Sequence, residues 1–364
     1  MRLLSLTLEQ FRSYEALKIT FDESKDVSVF MGENATGKTN ILEAICILSL
    51  LKSPRRVEDI DLIQWEKAHY RIRGSLQSDA GATTELEVVS QVKPRKTRAA
   101  FVNGIKTPAT RYIGSLPLVT FMPDNLLLWS GAPSARRRLV DQLLCQVSQS
   151  YLQAMMEYEK FLRQRNSLLK QIREGTESLS SLQPWNEKLA SIGALITIDR
   201  LQLFETLDLT IQTELTALGE RPREARFCYV RKGNSSEESA LMQEIIEELS
   251  LHRERDVATA STSVGPHRDD WTLSIDGRDI ASFASRGQQR AALLALLLLQ
   301  ASFLELRKGE KPILLLDDVF SELDEKHRKA ILETLSDVQV IMTAVEFDEV
   351  LRKDTHVHSC PITH

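Results

Sequence analysis

No two cysteines stand at CxxC spacing in this chain, and none of Cys46, Cys145, Cys228 and Cys360 has a histidine at metal-ligand spacing beside it. Structural zinc and a disulfide framework are therefore not expected, and a reducing, cytoplasmic setting is the simplest reading. Long apolar runs are also missing. The longest, AALLALLLLQASF from Ala291, falls short of the ~20 residues that cross a bilayer and directly follows Arg290, so it reads as a buried helix. The opening MRLLSLTLEQFRSYE turns polar too soon for a signal peptide. There is no repeat, no low-complexity tract and no excess of positive charge: 46 Lys and Arg against 51 Asp and Glu give a net charge of −5. On charge alone nothing calls for a nucleic-acid partner. What is present, 42% hydrophobic and 27% charged residues over 364 positions, is the composition of a globular protein. At ~100–200 residues per domain it has room for two.

The pattern changes along the chain. Leu4, Leu6 and Leu8 alternate with polar residues as in a half-buried strand, and Val27–Met31 is a short apolar strand ending in Gly32. Further strand-like runs at 70–76, 84–89, 99–102 and 118–122 follow, with a hairpin signal at Asn103-Gly104. From Arg136 to Ile172 apolar residues recur every three or four positions, which predicts one amphipathic helix of roughly 50 Å. A polar connector at 175–184 leads to a second helical stretch, Trp185–Leu218, antiparallel to the first. A third, acidic helix is expected over Glu237–Leu251. Either an ordinary helical subdomain or a specialised arm fits this region. After residue 262 strand character returns with Trp271–Ile275, a turn at Asp276-Gly277, the apolar helix and a strand at Ile313–Leu316. The expectation is an α/β head split in sequence, 1–122 with 262–364, and a mainly helical insertion at 123–261.

Gly32-Glu33-Asn34-Ala35-Thr36-Gly37-Lys38-Thr39 matches G-x-x-x-x-G-K-[ST], a pattern chance supplies in roughly one chain in a hundred of this length. An apolar strand runs in, and a helix, Asn40–Leu51, runs out. Glycines let backbone N–H groups turn inward around an anion, the helix N-terminus adds partial positive charge, and Lys38 can reach the β- and γ-phosphates of ATP. Thr39 would hold Mg²⁺ through its hydroxyl. The strand ending in Asp317-Asp318 supplies the complement. Asp317 would coordinate the metal, and Asp318, one residue farther, would polarise the attacking water as general base.

Ser285-Arg286-Gly287-Gln288-Gln289-Arg290 heads the apolar helix and makes a second anion site that one phosphate loop does not need for itself. The economical reading is that Ser285, Gly287 and Gln288 complete the nucleotide site of another subunit. The segment resembles the signature motif of ABC-type ATPases, and Ser321-Glu322-Leu323-Asp324 resembles their D-loop. At the switch position stands Thr343, not the histidine of transporter ATPases, so γ-phosphate sensing by a histidine is not expected. His267 is read as a buried, hydrogen-bonded side chain at the edge of the insertion, not as a substitute.

Three further stretches resemble the RecF family: Pro123-Asp124 through Gly131-Ala132-Pro133, Arg136-Arg137 and Asp141; Gly265-Pro266-His267-Arg268-Asp269-Asp270; and Leu315 to Arg328, together with the opening Phe11-Arg12-Ser13-Tyr14. Leu139 departs where the family carries an aromatic residue, and Ala35 where many SMC-like heads carry glycine. The resemblance implies an ABC-type P-loop ATPase head with a helical arm. It also implies an ATP-dependent homodimer on gapped or junction DNA, with slow, DNA-stimulated hydrolysis and a place in DNA repair, replication and the SOS response. In that family RecO and RecR act alongside, assisting the loading of RecA. An SMC-like repair or chromosome-maintenance ATPase is the alternative, although the helices are too short for a long coiled coil and there is no zinc hook. A transporter ATPase would keep its phosphate loop and signature closer together, and a P-loop kinase leaves SRGQQR unexplained.

For DNA contact, residues 91–111 carry Lys93, Arg95, Lys96, Arg98, Lys106 and Arg111 and no acid. Phosphate neutralisation needs such a local cluster and not a basic whole. A basic edge hairpin blunted against aggregation gives the same pattern, and both readings stand. Arg136, Arg137 and Arg138 fit either the nucleotide or a hinge between domains.

Overall fold

The computed structural model describes residues 1–33, 36–55, 57–318, 328, 337–345 and 357–361. It divides into two compact units: Met1–Leu127 with Thr213–Arg221 and Ser285–His364, and Leu128–Gln212 with Pro222–Ala284.

In the first unit the chain lays down β1 (Arg2–Phe11), β2 (Tyr14–Thr20), β3 (Val27–Met31), β4 (His69–Gln77), β5 (Thr83–Gln91), β6 (Thr97–Val102), β7 (Ile105–Thr107) and β8 (Leu118–Phe121). Six of these form an antiparallel sheet in the order β2-β1-β4-β5-β6-β7. One face is buried and one solvated, so burial alternates along β4, with Tyr70, Ile72 and Leu76 inside. In β1 the alternation slips. Leu3, Leu6, Leu8 and Phe11 are the buried residues, not Leu4, because the register against β4 shifts between Leu3 and Ser5. At the β6–β7 turn, Asn103 and Gly104 both take positive φ, 50° and 76°, as the hairpin signal predicts.

The second unit holds the helices. The single helix expected from Arg136 to Ile172 is two, Pro133–Val147 and Gln149–Arg173. Ser148 breaks it with extended backbone (φ −131°, ψ 110°), and its hydroxyl caps the second helix by accepting from the Tyr151 amide at 3.1 Å. The next helix, Gln183–Asp208, ends well before Leu218, and the acidic helix spans Glu238–Leu251. Gln149–Arg173 and Gln183–Asp208 do lie antiparallel: Arg165 bonds Asn186 near one end, while Tyr151 accepts from Arg200 near the other. Residues 262–284, expected with the head, belong to this unit. The strand β9 (Ala225–Val230), which no sequence pattern announced, pairs along its length with β10 (Asp270–Ile275), and β10 turns into β11 (Arg278–Asp279). Phe204, Phe227 and Trp271 pack ring against ring over that small sheet. Charges are buried here in pairs. Arg165 and Asp256, both fully buried, meet at 2.8 Å, and the Arg200 guanidinium bridges Asp141 and the Pro266 carbonyl.

Back in the first unit, β12 (Ile313–Asp317), β13 (Val340–Ala344) and β14 (Val357–Pro361) complete a parallel sheet in the order β14-β3-β13-β12-β8. β12 and β13 are buried along their whole length, so they read as nearly continuous apolar runs. On one face lies the helix Lys38–Leu50, whose Ile41 to Leu48 are buried in one core with Leu3, Leu8 and Ile72 of the antiparallel sheet and Ile313, Leu315 and Ile341 of the parallel one. A helix covered all round has little reason to be amphipathic, and this one is apolar on nearly every side. The helix Arg286–Lys308 is long and apolar enough to cross a membrane, but 67% of its apolar window is buried in the protein, and it packs against β8.

Candidate nucleotide-binding site

The phosphate loop leaves the C-terminal end of β3 and enters the Lys38–Leu50 helix. Gly32 and Gly37 are its hinges. Gly32 has φ 155°, and a Cβ there would sit 3.0 Å from Thr36 Oγ1; Gly37, the helix N-cap, has φ 93°. Thr36 closes the loop by donating its hydroxyl to the Glu33 carbonyl at 2.9 Å. Lys38 Nζ donates back to the Gly32 and Glu33 carbonyls, the latter at 2.8 Å, so its ammonium is held against the start of the loop. Asn34 and Ala35 lie outside the described residues. Asn40 begins the helical bonding, its N–H reaching the Gly37 carbonyl at 2.8 Å, and its side chain donates to Ser13 Oγ at 3.3 Å.

Sheet order brings the second half of the site to the first. β13 lies between β3 and β12, and all run the same way, so their C-terminal ends share one edge. Register pairs Asp317 with Thr343 and Thr343 with Phe30, two residues before Gly32. Asp317 Oδ1 therefore accepts from Thr39 at 3.0 Å and from Thr343 at 2.8 Å. Asp318 follows in the left-handed region at φ 51°, its amide donating to Thr343 Oγ1 at 2.9 Å. Strand order thus brings Thr39, next to Lys38, onto Asp317, with the Asp318 backbone bonded to Thr343 beside them. Thr343, noted in the sequence only for not being histidine, is the hub. No group of three His, Cys, Asp or Glu among the described residues makes a metal cage. A hydroxyl beside one carboxylate instead suits Mg²⁺, which takes its other oxygens from phosphates and water.

Ser285 caps the Arg286–Lys308 helix in a capping box: Gln288 N donates to its hydroxyl at 3.3 Å, and Ser285 N donates to Gln288 Oε1 at 3.0 Å. This is a structural use for Ser285 and Gln288 that motif reading did not anticipate. Gly287 has no such use. Its backbone is ordinary helix, and a Cβ there would meet nothing nearer than 3.9 Å. A glycine inside a helix costs about 1 kcal/mol relative to alanine, and no contact among the described residues requires one here. The bonds of Ser285 among the described residues stay within its own helical turn and do not reach the Lys38 cluster. The D-loop segment 321–324 lies outside the described residues.

The basic cluster separates into two kinds of residue. Lys93, Arg95, Lys96, Lys106 and Arg111 are exposed on or beside the β5–β6–β7 edge. Arg98 is not available in the same way: it donates to Asp59 and to the Leu51 carbonyl. Lys96 lies 3.8 Å from Glu58. In the second unit Arg136 forks onto Asp270 at 2.7 Å and binds the Leu128 and Gly131 carbonyls, so it serves structure within that unit. His267 bonds Tyr158 at 2.8 Å and the Thr262 carbonyl at 3.0 Å, and burial holds its pKa down at about 4. A cavity of about 340 Å³ in the same unit is lined by charges already paired, Arg231 with Glu244 at 2.9 Å and Lys232 with Glu248 at 3.2 Å. It carries none of the nucleotide chemistry.

Comparison with known proteins agrees with this geometry. The family model for the RecF/RecN/SMC N terminal domain matches residues 2–359. The DNA replication and repair protein RecF of Natranaerobius thermophilus is 36% identical over 361 residues, covering 96% of this chain and 92% of that one. The RecF of Enterococcus faecalis is 34% identical, covering 98% and 95%. A solved structure of the recombination mediator protein RecF-ATP in the RecFOR pathway superposes with a TM-score of 0.87 at 31% identity, covering 95% of this chain and 92% of that one. An SMC head at 14% identity and a TM-score of 0.52 shares the fold alone. With an ABC-type ATPase head and near full-length similarity to these proteins, the chain belongs to the RecF family.

Proposed function

We propose that the chain is an ATP-gated DNA-binding protein of recombinational repair and replication restart. The observation that supports this reading is the row Thr39–Asp317–Thr343 beside the Lys38 loop, a hydroxyl and a carboxylate next to an ammonium, which suits the phosphates of a nucleotide with Mg²⁺. The RecF relatives named as replication and repair proteins, and the solved RecF with ATP in the RecFOR pathway, support the biological setting.

The residues divide the work. The helix N-terminus after Gly37 and the Lys38 ammonium bind the phosphates, with Lys38 exchanging its loop carbonyls for phosphate oxygens. Thr39 and Asp317 would hold Mg²⁺, which would supply charge neutralisation to the phosphates. Thr343 ties the Asp317 carboxylate to the Asp318 backbone, which supports assigning Asp318 the role of orienting a water for slow hydrolysis. Ser285, Gly287 and Gln288 meet the nucleotide of a second copy, closing a homodimer. ATP then favours the dimer by contacting the closed form and not the open one, and hydrolysis releases it. DNA, gapped or at a single-strand/double-strand junction, is met through phosphates by Lys93, Arg95, Lys96, Lys106 and Arg111. RecR is the direct partner, with RecO and RecA in the same pathway.

The test is nucleotide binding and phosphate release with and without gapped DNA. Wild type should bind ATP and hydrolyse it faster with DNA. Lys38→Ala should lose both, and DNA-independent hydrolysis equal in the two proteins would sink the reading.

A further inference from the structure

The Phe11-Arg12-Ser13-Tyr14 segment, prominent in the sequence and unused so far, folds against the phosphate loop. Arg12 clamps the buried Glu43 of the loop's helix with two bonds of 2.8 and 2.9 Å, which holds the β1–β2 turn in place. The next two residues face the helix start. Tyr14 is only 7% exposed, with its ring in the core shared by the two sheets, yet its hydroxyl has no hydrogen-bond partner among the described residues. A buried unpaired hydroxyl costs about 1–3 kcal/mol, which phenylalanine would avoid at the same packing. Burial also raises the phenol to a pKa of about 12, so it remains a donor at any working pH.

That donor is aimed at the second glycine of the loop. A Cβ at Gly37 would lie 2.5 Å from Tyr14 Oη and 3.1 Å from Ser13 Oγ. Gly37 is thus required twice, by its φ of 93° and by the tyrosine against it. Ser13 already accepts from the Asn40 side chain, so Tyr14 alone in this polar cluster is unsatisfied. Gly37 to Asn40 is the stretch whose N–H groups take the α- and β-phosphates in a loop of this kind, while the lysine serves the β–γ end.

We propose that Tyr14 is a nucleotide-binding residue whose hydroxyl donates to an oxygen of the α-phosphate, so that its orphan donor is satisfied only in the ATP- or ADP-bound protein. This rests on the reading of the loop as an ATP site. It follows that Tyr14 does not distinguish ATP from ADP, and that discrimination lies with Lys38, Thr39 and the trans signature.

The test is Tyr14→Phe in the full chain, titrated calorimetrically with ATP and with ADP, beside a thermal melt without nucleotide. Affinity should fall about 5- to 20-fold for both nucleotides, with the nucleotide-free melting temperature unchanged or raised because an unpaired hydroxyl is gone. Affinities within twofold of wild type, a loss confined to ATP, or a loss matched by a lower nucleotide-free melting temperature would each overturn the proposal. Lys38→Ala is the companion variant. If it abolishes binding while Tyr14→Phe leaves it intact, the tyrosine assignment alone fails; if wild type binds neither nucleotide, the ATP reading itself fails.

Discussion

Thr343 donates its hydroxyl to Asp317 Oδ1 at 2.8 Å while accepting from the Asp318 amide at 2.9 Å, so one buried side chain ties the Asp317 carboxylate to the Asp318 backbone at the end of β12. Thr343→Val keeps the volume and removes both bonds. Losing a bond to a charged group costs about 1.5–3 kcal/mol, so hydrolysis should fall roughly 10- to 100-fold. ATP affinity should change much less. Thr343→Ser should stay within about threefold of wild type. Steady-state phosphate release checks this, and a valine variant at the wild-type rate would remove Thr343 from the mechanism.

The basic cluster makes a position-specific prediction. Lys93→Glu with Arg95→Glu should weaken DNA binding and flatten its salt dependence, the slope falling by about 0.9 for each phosphate the protein no longer neutralises. Arg98→Glu should instead lower stability, because it sets a second carboxylate against Asp59 and frees the Leu51 carbonyl. Fluorescence anisotropy over a salt series, paired with melting curves, separates the two. Weaker DNA binding by Arg98→Glu at unchanged stability, with no effect of the double reversal, would reverse the assignment.

Asp256 is the buried partner of Arg165 and also accepts from the Ser263 amide and hydroxyl at 3.0 and 2.6 Å. Asp256→Ala strands a guanidinium in the interior and should cost about 3–5 kcal/mol by urea unfolding. Adding Arg165→Met should recover part of that loss. An additive double variant would mean the two charges are not coupled.

His267 and Asp269 act in opposite directions on acid stability. Burial lowers His267 to about 4, so between about 6.5 and 4 the unfolded chain binds a proton the native one does not, and stability falls as pH falls. Burial raises Asp269 to about 6, so over about 6 to 4 the native chain binds the extra proton, and stability rises as pH falls. Each shift is roughly 3 kcal/mol at full extent, and the two oppose each other in the wild type. Asp269→Asn should therefore lose more stability than wild type between pH 7 and pH 5, and His267→Gln less. Urea midpoints at the two pH values decide it; identical pH slopes in all three proteins would contradict the assignment.

Much of the nucleotide site was legible because its chemistry is local. Gly32, Gly37, Lys38 and Thr39 need only a strand before and a helix after, and Asp317 needs only to end an apolar strand. What brings the halves together is strand order, with β13 between β3 and β12, and no local pattern encodes that. The same limit hid β9, whose pairing with β10 moves residues 262–284 out of the head. Periodicity ran through Ser148 without seeing the break, since a serine is tolerated in a helix until its hydroxyl finds a better use as a cap. Arg98 looked like its neighbours in sequence because its acid, Asp59, is far along the chain.

In the proposed dimer, ATP bound at Lys38 of one copy is completed by Ser285 of another. Sedimentation of wild type and Ser285→Arg, with and without ATP and gapped DNA, tests it most directly. Wild type should shift to a dimer only when ATP is present, while Ser285→Arg should bind ATP and remain a monomer. A variant that dimerises with ATP as wild type does, or a wild type whose association ignores ATP, would contradict the account.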